Sequence, residues 1–376
     1  MGRNFDAVII GGGIIGLSVG YHLSLRGQKI IVIEKKYTGS GSTGRCIGGI
    51  RMQFSTEASI KLMKESMTHF IGMEKEFGFS VEFMAGGYLF LAHSEDKLEA
   101  FRGVMKIQKE LGLNVKELTP DECVRLVPGM NTDGLKGAVY SPDDGQAYPF
   151  KVLRGYFNGI RERGSVVRTF TAVTGIRTEN GKVTGVEIDN GEFIGAPVIV
   201  NAAGPWAPEV GKMAGIDLPI FPEEHEALIS DRYDHLFDPM VVDYRPDGCY
   251  FQQMVTGQII GCYTPVPNKP GTQTSASSEF LLEMSRRTSR LIPQLKDLNV
   301  LRHWGGSYSM TPDGSPIIDK TTTGGFYVAA GMSGHGFMFG PAIGKFLTRI
   351  ILDDSYPYDW DEFKLNRDFS RTEVMK

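Results

Sequence analysis

An α/β fold is what the sequence predicts: a nucleotide-binding type of parallel sheet interleaved with a second domain built on a mixed β-sheet. Three observations carry it. A strand, a glycine turn, a helix and a second strand follow one another within the first 34 residues. Two later runs, Pro197–Ala202 and Gly325–Ala330, again read as buried strands that run into glycines. Before them lie the alternating β runs Thr171–Arg177, Lys182–Asp189 and Glu192–Ile194, a meander joined at Asn180-Gly181 and Asn190-Gly191, dipeptides suited to type I′ hairpin turns. Strand-then-glycine ends this far apart imply one domain assembled from discontinuous segments.

The 376 residues suit two domains at about 150 residues each. Hydrophobic residues at 41% and charged residues at 22% are ordinary globular usage, which excludes disorder and coiled coil. Forty basic against 44 acidic side chains, net charge −4, leave no basic footprint for nucleic acid. Cys46, Cys123, Cys249 and Cys262 form no CxxC pair, which argues against a zinc knuckle or a disulfide framework and fits a reducing, cytoplasmic setting. Residues 5–19 are too broken by glycine for a secretory leader, and no run approaches the ~18 apolar residues of a membrane span. No metal cluster or Ser/His/Asp triad is visible. Internal repeats and low-complexity segments are absent as well.

Phe5–Ile10 is the first buried strand. Gly11-Gly12-Gly13-Ile14-Ile15-Gly16 then fits GxGxxG: Gly11 permits the tight turn, Gly13 lets backbone approach a pyrophosphate, and Gly16 lets helix and strand pack closely. Ile14, Leu17, Tyr21 and Leu25 recur at helical spacing, Gly27 stops the helix, and Lys29–Ile33 returns as a strand ending in Glu34. The helix N-terminus offers N–H groups and a positive dipole end to phosphate, while Glu34 accepts from ribose hydroxyls and repels a 2′-phosphate. Strand–helix alternation does not continue as in a compact NAD domain. The chain instead enters Tyr37–Arg51 (YTGSGSTGRCIGGIR), whose amides, Ser42 and Thr43 hydroxyls and Arg45 guanidinium suit a second stretch of pyrophosphate and a flavin edge, hence FAD. Near the far end, Gly331-Met-Ser333-Gly334-His335-Gly336 precedes an apolar helix over about 337–352, whose N-terminus would stabilise the negative charge of a reduced flavin.

The GxGxxG…Glu34 unit, the Ser42–Arg51 loop, Asn201-Ala-Ala-Gly204-x-Trp206, Thr311-Pro-Asp313 with Pro316-Ile-Ile318, and Ala330-Gly-x-Ser-Gly-His-Gly336 together resemble the D-amino acid oxidase/sarcosine oxidase superfamily of FAD-dependent amine oxidoreductases, in the same order and over the full length. Within it, GSTGRCIGGIRMQF and GHGFMFGPA resemble the β subunits of archaeal dye-linked L-proline dehydrogenases, themselves similar to those of heterotetrameric sarcosine oxidases. The resemblance implies a glutathione-reductase-type FAD domain over 1–80, 150–215 and 300–376, and a substrate domain over 81–149 and 216–299. Hydride would pass from the carbon beside the substrate nitrogen to flavin N5. FAD contacts are expected from the first loop and helix (Gly11, Gly13, Ile14, Ile15, Gly16), from Glu34 and Lys35, and from Ser42, Thr43, Arg45, Cys46 and Gly49. Val173, Ala202, Ala203, Gly204 and Trp206 add to them, as do Gly331, Ser333, Gly334, His335, Gly336, Phe337 and Met338.

Departures from the family refine these expectations. Gly306 stands where monomeric sarcosine oxidases carry the cysteine that attaches FAD, so FAD is expected to be noncovalent. Ile259 stands where an oxygen-activating lysine is expected, which leans towards a dehydrogenase. Met338 replaces a carboxylate-binding lysine, leaving that work to Arg51 and its planar fork. Tyr148-Pro149 lies where sarcosine oxidase β subunits hold FMN on a histidine. Any FMN here would be noncovalent, at the interface with an α subunit in a hetero-oligomer.

On the substrate side, His225 can hydrogen-bond or deprotonate an amine, and Tyr250 can cap the pocket; His335 reads as a flavin contact rather than a base. The expected substrate is a small amino acid. Proline is favoured over sarcosine, glycine or a D-amino acid, and a flavin-carrying interaction subunit without its own substrate site is the reading of another class. Lys61–Lys75 reads as an amphipathic helix. Arg286, Arg287 and Arg290 on the helix Glu279–Leu291 read as exposed charge, and the tail 359–376 as a polar segment that a partner would order.

Overall fold

The computed structural model describes residues 5–370 and 372–375. Its largest nucleotide-type element is a six-stranded sheet in the order Ile317–Lys320, Phe326–Ala330, Val198–Asn201, Ala7–Ile10, Ile30–Ile33, Val166–Arg168. All neighbours are parallel except the first pair. Val8, Ile9, Ile30 and Val32 are fully buried, as strands covered on both faces require. The strands of the opening unit, Ala7–Ile10 and Ile30–Ile33, flank the helix Ile14–Leu25, so this unit was legible from its periodicity alone.

That helix crosses the long helix Gly336–Asp353. The crossing depends on glycine: a Cβ at Gly344 would stand 2.6 Å from the Ser18 carbonyl carbon, and one at Gly340 2.5 Å from Ile14 Cγ1. Both loops that precede these helices are thereby brought to one end of the sheet, outside its strand ends, where open α/β sheets bind ligands.

The meander forms its own three-stranded sheet, Val173–Glu179, Lys182–Ile188 and Phe193–Gly195. Asn180 and Gly181 both take positive φ (49° and 75°), the type I′ pattern expected. At Asn190-Gly191 only Gly191 does (82°), so the second turn is not type I′. Its Gly191 N–H bonds Ile188 O and Ile188 N–H bonds Glu192 O, a longer loop with glycine at its left-handed position.

A nine-stranded mixed sheet makes the second layer. It includes Tyr88–Ala92, Gly137–Ser141, Phe221–Arg232, Met240–Asp243, Tyr250–Gln253, Gln258–Tyr263 and Val300–Met310. Val300–Met310 pairs along Phe221–Arg232, so the expected boundary at 300 assigns to the cofactor segment a strand whose hydrogen bonds lie in this sheet. One face, with Leu89, Leu91, Val241, Phe251 and Ile259, packs with Phe280, Met284 and Leu291 of the helix Ser278–Leu291.

Two expectations about charged segments are corrected. Arg287 is not exposed: it stacks 4.0 Å from the Tyr263 ring and donates to Gly248 O at 2.6 Å and Glu283 Oε1 at 2.7 Å. Arg290 pairs with Asp247, and Arg286 alone of the three keeps half its side chain in solvent. The tail docks on its own chain. Trp360 and Phe363 are buried and Trp360 Nε1 donates to Ile318 O at 2.7 Å, while Glu373 accepts from Ser55 N at 3.0 Å and Ser55 Oγ at 2.7 Å. No helix among the described residues is long and apolar enough to cross a membrane. Trp360→Ala should destabilise the fold by about 3–5 kcal/mol, read as a lowered denaturant midpoint; a midpoint within about 0.5 kcal/mol of wild type would mean that the tail does not anchor the sheet edge.

Candidate active site

Two cavities meet where the sheets face each other. The first is a crevice along the glycine loops. Ile10, Gly11, Gly13, Ile14 and Ile15 form its floor, Glu34 and Lys35 one end, Ser40–Thr43 with Arg45 and Cys46 one wall, Thr171–Val173 and Ala202–Trp206 another. Gly334 in the loop before the long helix, with Gly336 and Phe337 at its start, closes it. Gly11 holds φ at +114° with space for no Cβ (2.4 Å from Ala202 O), and a Cβ on Gly16 would meet Gly11 O at 2.0 Å. These are the turn and the close helix–strand approach that the fingerprint demands.

The donor set fits a dinucleotide flavin. Glu34 accepts from Gly12 N (2.8 Å), Lys36 N (2.8 Å) and Ser40 Oγ (3.2 Å), which aims the carboxylate and leaves it acceptor capacity for a ribose. Thr43 Oγ1 accepts from Ile14 N at 3.1 Å, tying the second loop to the helix N-terminus where a pyrophosphate would lie. Lys35 Nζ stands 3.3 Å over the Trp206 ring, and partial burial lowers its pKa. The Arg45 guanidinium, expected to face a pyrophosphate, donates instead to the carbonyls of Ser40 and Gly41 and so braces its own loop.

The second cavity, about 520 Å³, lies under the other face of the nine-stranded sheet. Pleating decides its lining, since alternate residues of a strand share a face. Tyr88 and Phe90, Met240 and Val242, Tyr250, Cys262, Glu223 and His225, and Gly306, Tyr308 and Met310 all reach it. Tyr88 pairs with Met240, Phe90 with Val242, Val242 with Tyr250, Tyr250 with Cys262 and Cys262 with Ala227, and His225, two residues from Ala227 on the same face, pairs with Gly306, so the row is continuous across strands. Arg45, Cys46, Tyr308, Gly334 and Phe337 line both cavities and form their common wall.

Arg51, His225 and Tyr250, three residues far apart in sequence, thus come to one cavity. Arg51 is 4% exposed. Its guanidinium donates to the carbonyls of Gln53 and Met375, meets His335 Nε2 at 2.9 Å, and stacks 4.1 Å from the Phe54 ring. His335 therefore accepts from Arg51, a placement on the substrate side rather than in the first crevice. Among the described residues no carboxylate lies within ion-pairing distance (4.0 Å) of Arg51.

His225 stacks on Tyr308 with ring centroids 3.8 Å apart, and burial holds its pKa down to about 4. Tyr308 Oη and Tyr250 Oη share a hydrogen bond of 2.8 Å. Burial, with Cys262 beside it, raises the Tyr250 pKa, so both phenols stay protonated. Burial also raises the Cys46 thiol to about 12, which keeps it inert.

Several expected contacts fall elsewhere. Gly331 reaches neither cavity; its φ of +73° and a would-be Cβ 2.5 Å from Thr311 Cγ2 make it a packing position. Gly49, Ser333, His335 and Met338 line the second cavity rather than the first. Ser333 sits at φ 46°, in the left-handed region that favours glycine, with Oγ 3.3 Å from Thr311 N. Ile259 belongs to the opposite, helix-covered face of its strand, whose cavity-facing neighbour is Cys262. Tyr308, Tyr88 and Asp144 were not singled out from sequence; parity from Gly306 would have found Tyr308.

Residues 6–350 match the family model of DAO, the FAD dependent oxidoreductases. The chain belongs to that family. Sarcosine oxidase subunit beta of Rhizobium meliloti is 30% identical over 97% of this chain and 88% of that protein. Glycine oxidase of Geobacillus kaustophilus is 24% identical over the whole of both. The crystal structure of L-proline dehydrogenase from P. horikoshii superposes with a TM-score of 0.92 at 35% identity, over 97% of each chain. This DAO-family chain is accordingly an FAD-dependent oxidoreductase related to amine and amino acid oxidising enzymes.

Two outcomes test the site. Gly11→Val should yield protein with at least tenfold less bound FAD; normal FAD content would place the cofactor elsewhere. His225 stays uncharged in the fold down to about 4, whereas an unfolded histidine protonates near 6.5. Stability present above 6.5 is therefore lost as pH falls towards 4, by up to about 1.4 kcal/mol per pH unit. His225→Gln should flatten that loss in denaturant midpoints between pH 7 and 5, and an unchanged slope would contradict the burial of a neutral ring.

Proposed function

We propose that this chain oxidises the C–N bond of a small secondary amino acid, L-proline to 1-pyrroline-5-carboxylate, as the β subunit of a dye-linked dehydrogenase. The observation that carries the reading is Arg51: a guanidinium buried without a carboxylate partner among the described residues, on a cavity that shares a wall with the FAD crevice. An unpaired buried charge is costly, and the carboxylate of an amino acid compensates it in bidentate geometry.

FAD, held noncovalently in the glycine crevice, supplies the two-electron acceptor. The chain does the rest. Arg51 fixes the carboxylate, and uncharged His225 accepts a hydrogen bond from the substrate amine; with a pKa near 4 it is an acceptor rather than a base at neutral pH. Tyr308, on the shared wall, and Tyr250 fix the floor between substrate and cofactor. Tyr88, Phe90, Met240 and Val242 exclude water and suit an apolar ring. Proline is favoured by the likeness to the P. horikoshii enzyme, while sarcosine and glycine remain the competing substrates favoured by the other relatives.

The proposal extends to an α subunit and a second flavin. A cleft on the far side of Arg45 and Cys46 is lined by Tyr148, Pro149, Trp304 and Arg302, with exposed Tyr37, Phe150 and Val255 around it. An aromatic rim with a guanidinium suits noncovalent FMN shared with a partner.

Anaerobic titration with L-proline, sarcosine, glycine and D-amino acids should bleach the flavin with L-proline alone; bleaching by another amine in its place would overturn the proline assignment. Arg51→Ala should raise KM about 10- to 150-fold, from the ~1.5–3 kcal/mol of a charged hydrogen bond. An unchanged KM would leave a flavin-carrying subunit as the better reading. Flavin extracted from the chain purified with its natural partner should contain FMN beside FAD, and FAD alone would remove the second flavin.

A further inference from the structure

The substrate arginine is aimed from outside its own loop. Asp144 is fully buried, in the turn between the strand Gly137–Ser141 and the short pair Gly145–Gln146. One carboxylate oxygen accepts from Met52 N at 2.8 Å and the other from Gln53 Nε2 at 3.1 Å. These are the two residues that follow Arg51, and the Gln53 carbonyl in turn accepts from the Arg51 guanidinium. The Asp144 backbone is itself fixed, since its carbonyl accepts from Gly87 N at 2.7 Å.

A carboxylate in this place carries a desolvation cost; burial pushes its pKa up to about 7 despite the nearby Arg51 charge. The other titratable groups facing it are the phenols of Tyr88 and Tyr140, both held neutral by burial. An acid kept in such a setting needs a reason beyond stability. We infer that Asp144 is a positioning residue for the substrate carboxylate: it holds the Met52–Gln53 segment so that Arg51 presents its fork to the second cavity. This rests on the reading of Arg51 as the carboxylate anchor.

The geometry distinguishes position from charge. Gln53 Oε1 has no hydrogen-bond partner among the described residues. In Asp144→Asn a flipped Gln53 amide can therefore accept from the new NH2, giving up its 3.4 Å bond to the Tyr88 carbonyl, while the remaining oxygen keeps Met52 N. Asp144→Ala leaves the buried Met52 N–H without an acceptor and Gln53 Nε2 with only the Tyr88 carbonyl at 3.4 Å, and the segment is released.

The test is calorimetric binding of pyrrole-2-carboxylate, a ring carboxylate with no hydrogen to give up at the substituted carbon, to the FAD-loaded protein. Asp144→Ala should weaken binding at least tenfold with FAD content and flavin spectrum unchanged, and Asp144→Asn should stay within threefold of wild type. Wild-type affinity in Asp144→Ala, or equal weakening in both variants, would overturn the inference. Should Asp144→Ala fail to fold, Gln53→Leu reads the same link and should weaken binding at least threefold; wild-type affinity there would equally overturn it. Arg51→Gln separates the two claims. Unaltered binding in that variant removes the anchor itself, whereas lost binding there with unaltered Asp144 and Gln53 variants removes only the positioning role.

Discussion

A positive charge buried with no opposite charge in contact among the described residues is the constraint around which this molecule is arranged. Arg51 sits in an interior where an unpaired ion is unfavourable by several kcal/mol. The fold surrounds it with partial compensation: two backbone carbonyls, an imidazole nitrogen, an aromatic face and, one layer out, the Asp144 carboxylate. None of these neutralises it by direct ion pairing. The site is thus poised for an anion that the described residues do not provide.

The rest of the architecture brings that charge beside the cofactor crevice. Glycines let two helices cross closely enough to set both glycine loops at one end of the parallel sheet. The mixed sheet then lays one pleated face over the crevice, and the strand Val300–Met310 is the hinge of the arrangement: Tyr308 touches both cavities, stacks on His225 and bonds Tyr250. The docked tail completes the enclosure, with the Met375 carbonyl on Arg51 and Glu373 on Ser55. The same contacts close the second cavity and hold Arg51 in place.

The nucleotide half of this was legible in the sequence because its signals are local. Gly11, Gly13, Gly16 and Glu34 lie within one strand–helix–strand unit, and each has a steric or hydrogen-bonding reason that needs no tertiary context. Arg51, His225 and Tyr250 were legible as residue types, and they do meet, although no spacing in the chain says so. What escaped depended on partners distant in sequence. That Ile259 lies on the helix-covered face of its strand depends on the pairing with Gln253, which no local signal reveals. Gly331 lines neither cavity, and Thr311 packed against it gives a steric reason for glycine there that only the fold reveals. Arg287 looked solvated because Tyr263 and Gly248 come from other strands, and the tail looked loose because the strand that seats Trp360 lies some forty residues earlier. Asp144 carries no motif at all; only its two hydrogen bonds reveal it.

The most direct measurement is a crystal structure of the FAD-loaded protein with pyrrole-2-carboxylate bound. The account predicts the carboxylate on the Arg51 guanidinium, the ring between His225 and Tyr308 on one side and the flavin on the other, and Asp144 still bonded to Met52 and Gln53. A ligand seated away from Arg51, or an Arg51 turned onto a protein carboxylate in the loaded enzyme, would contradict it.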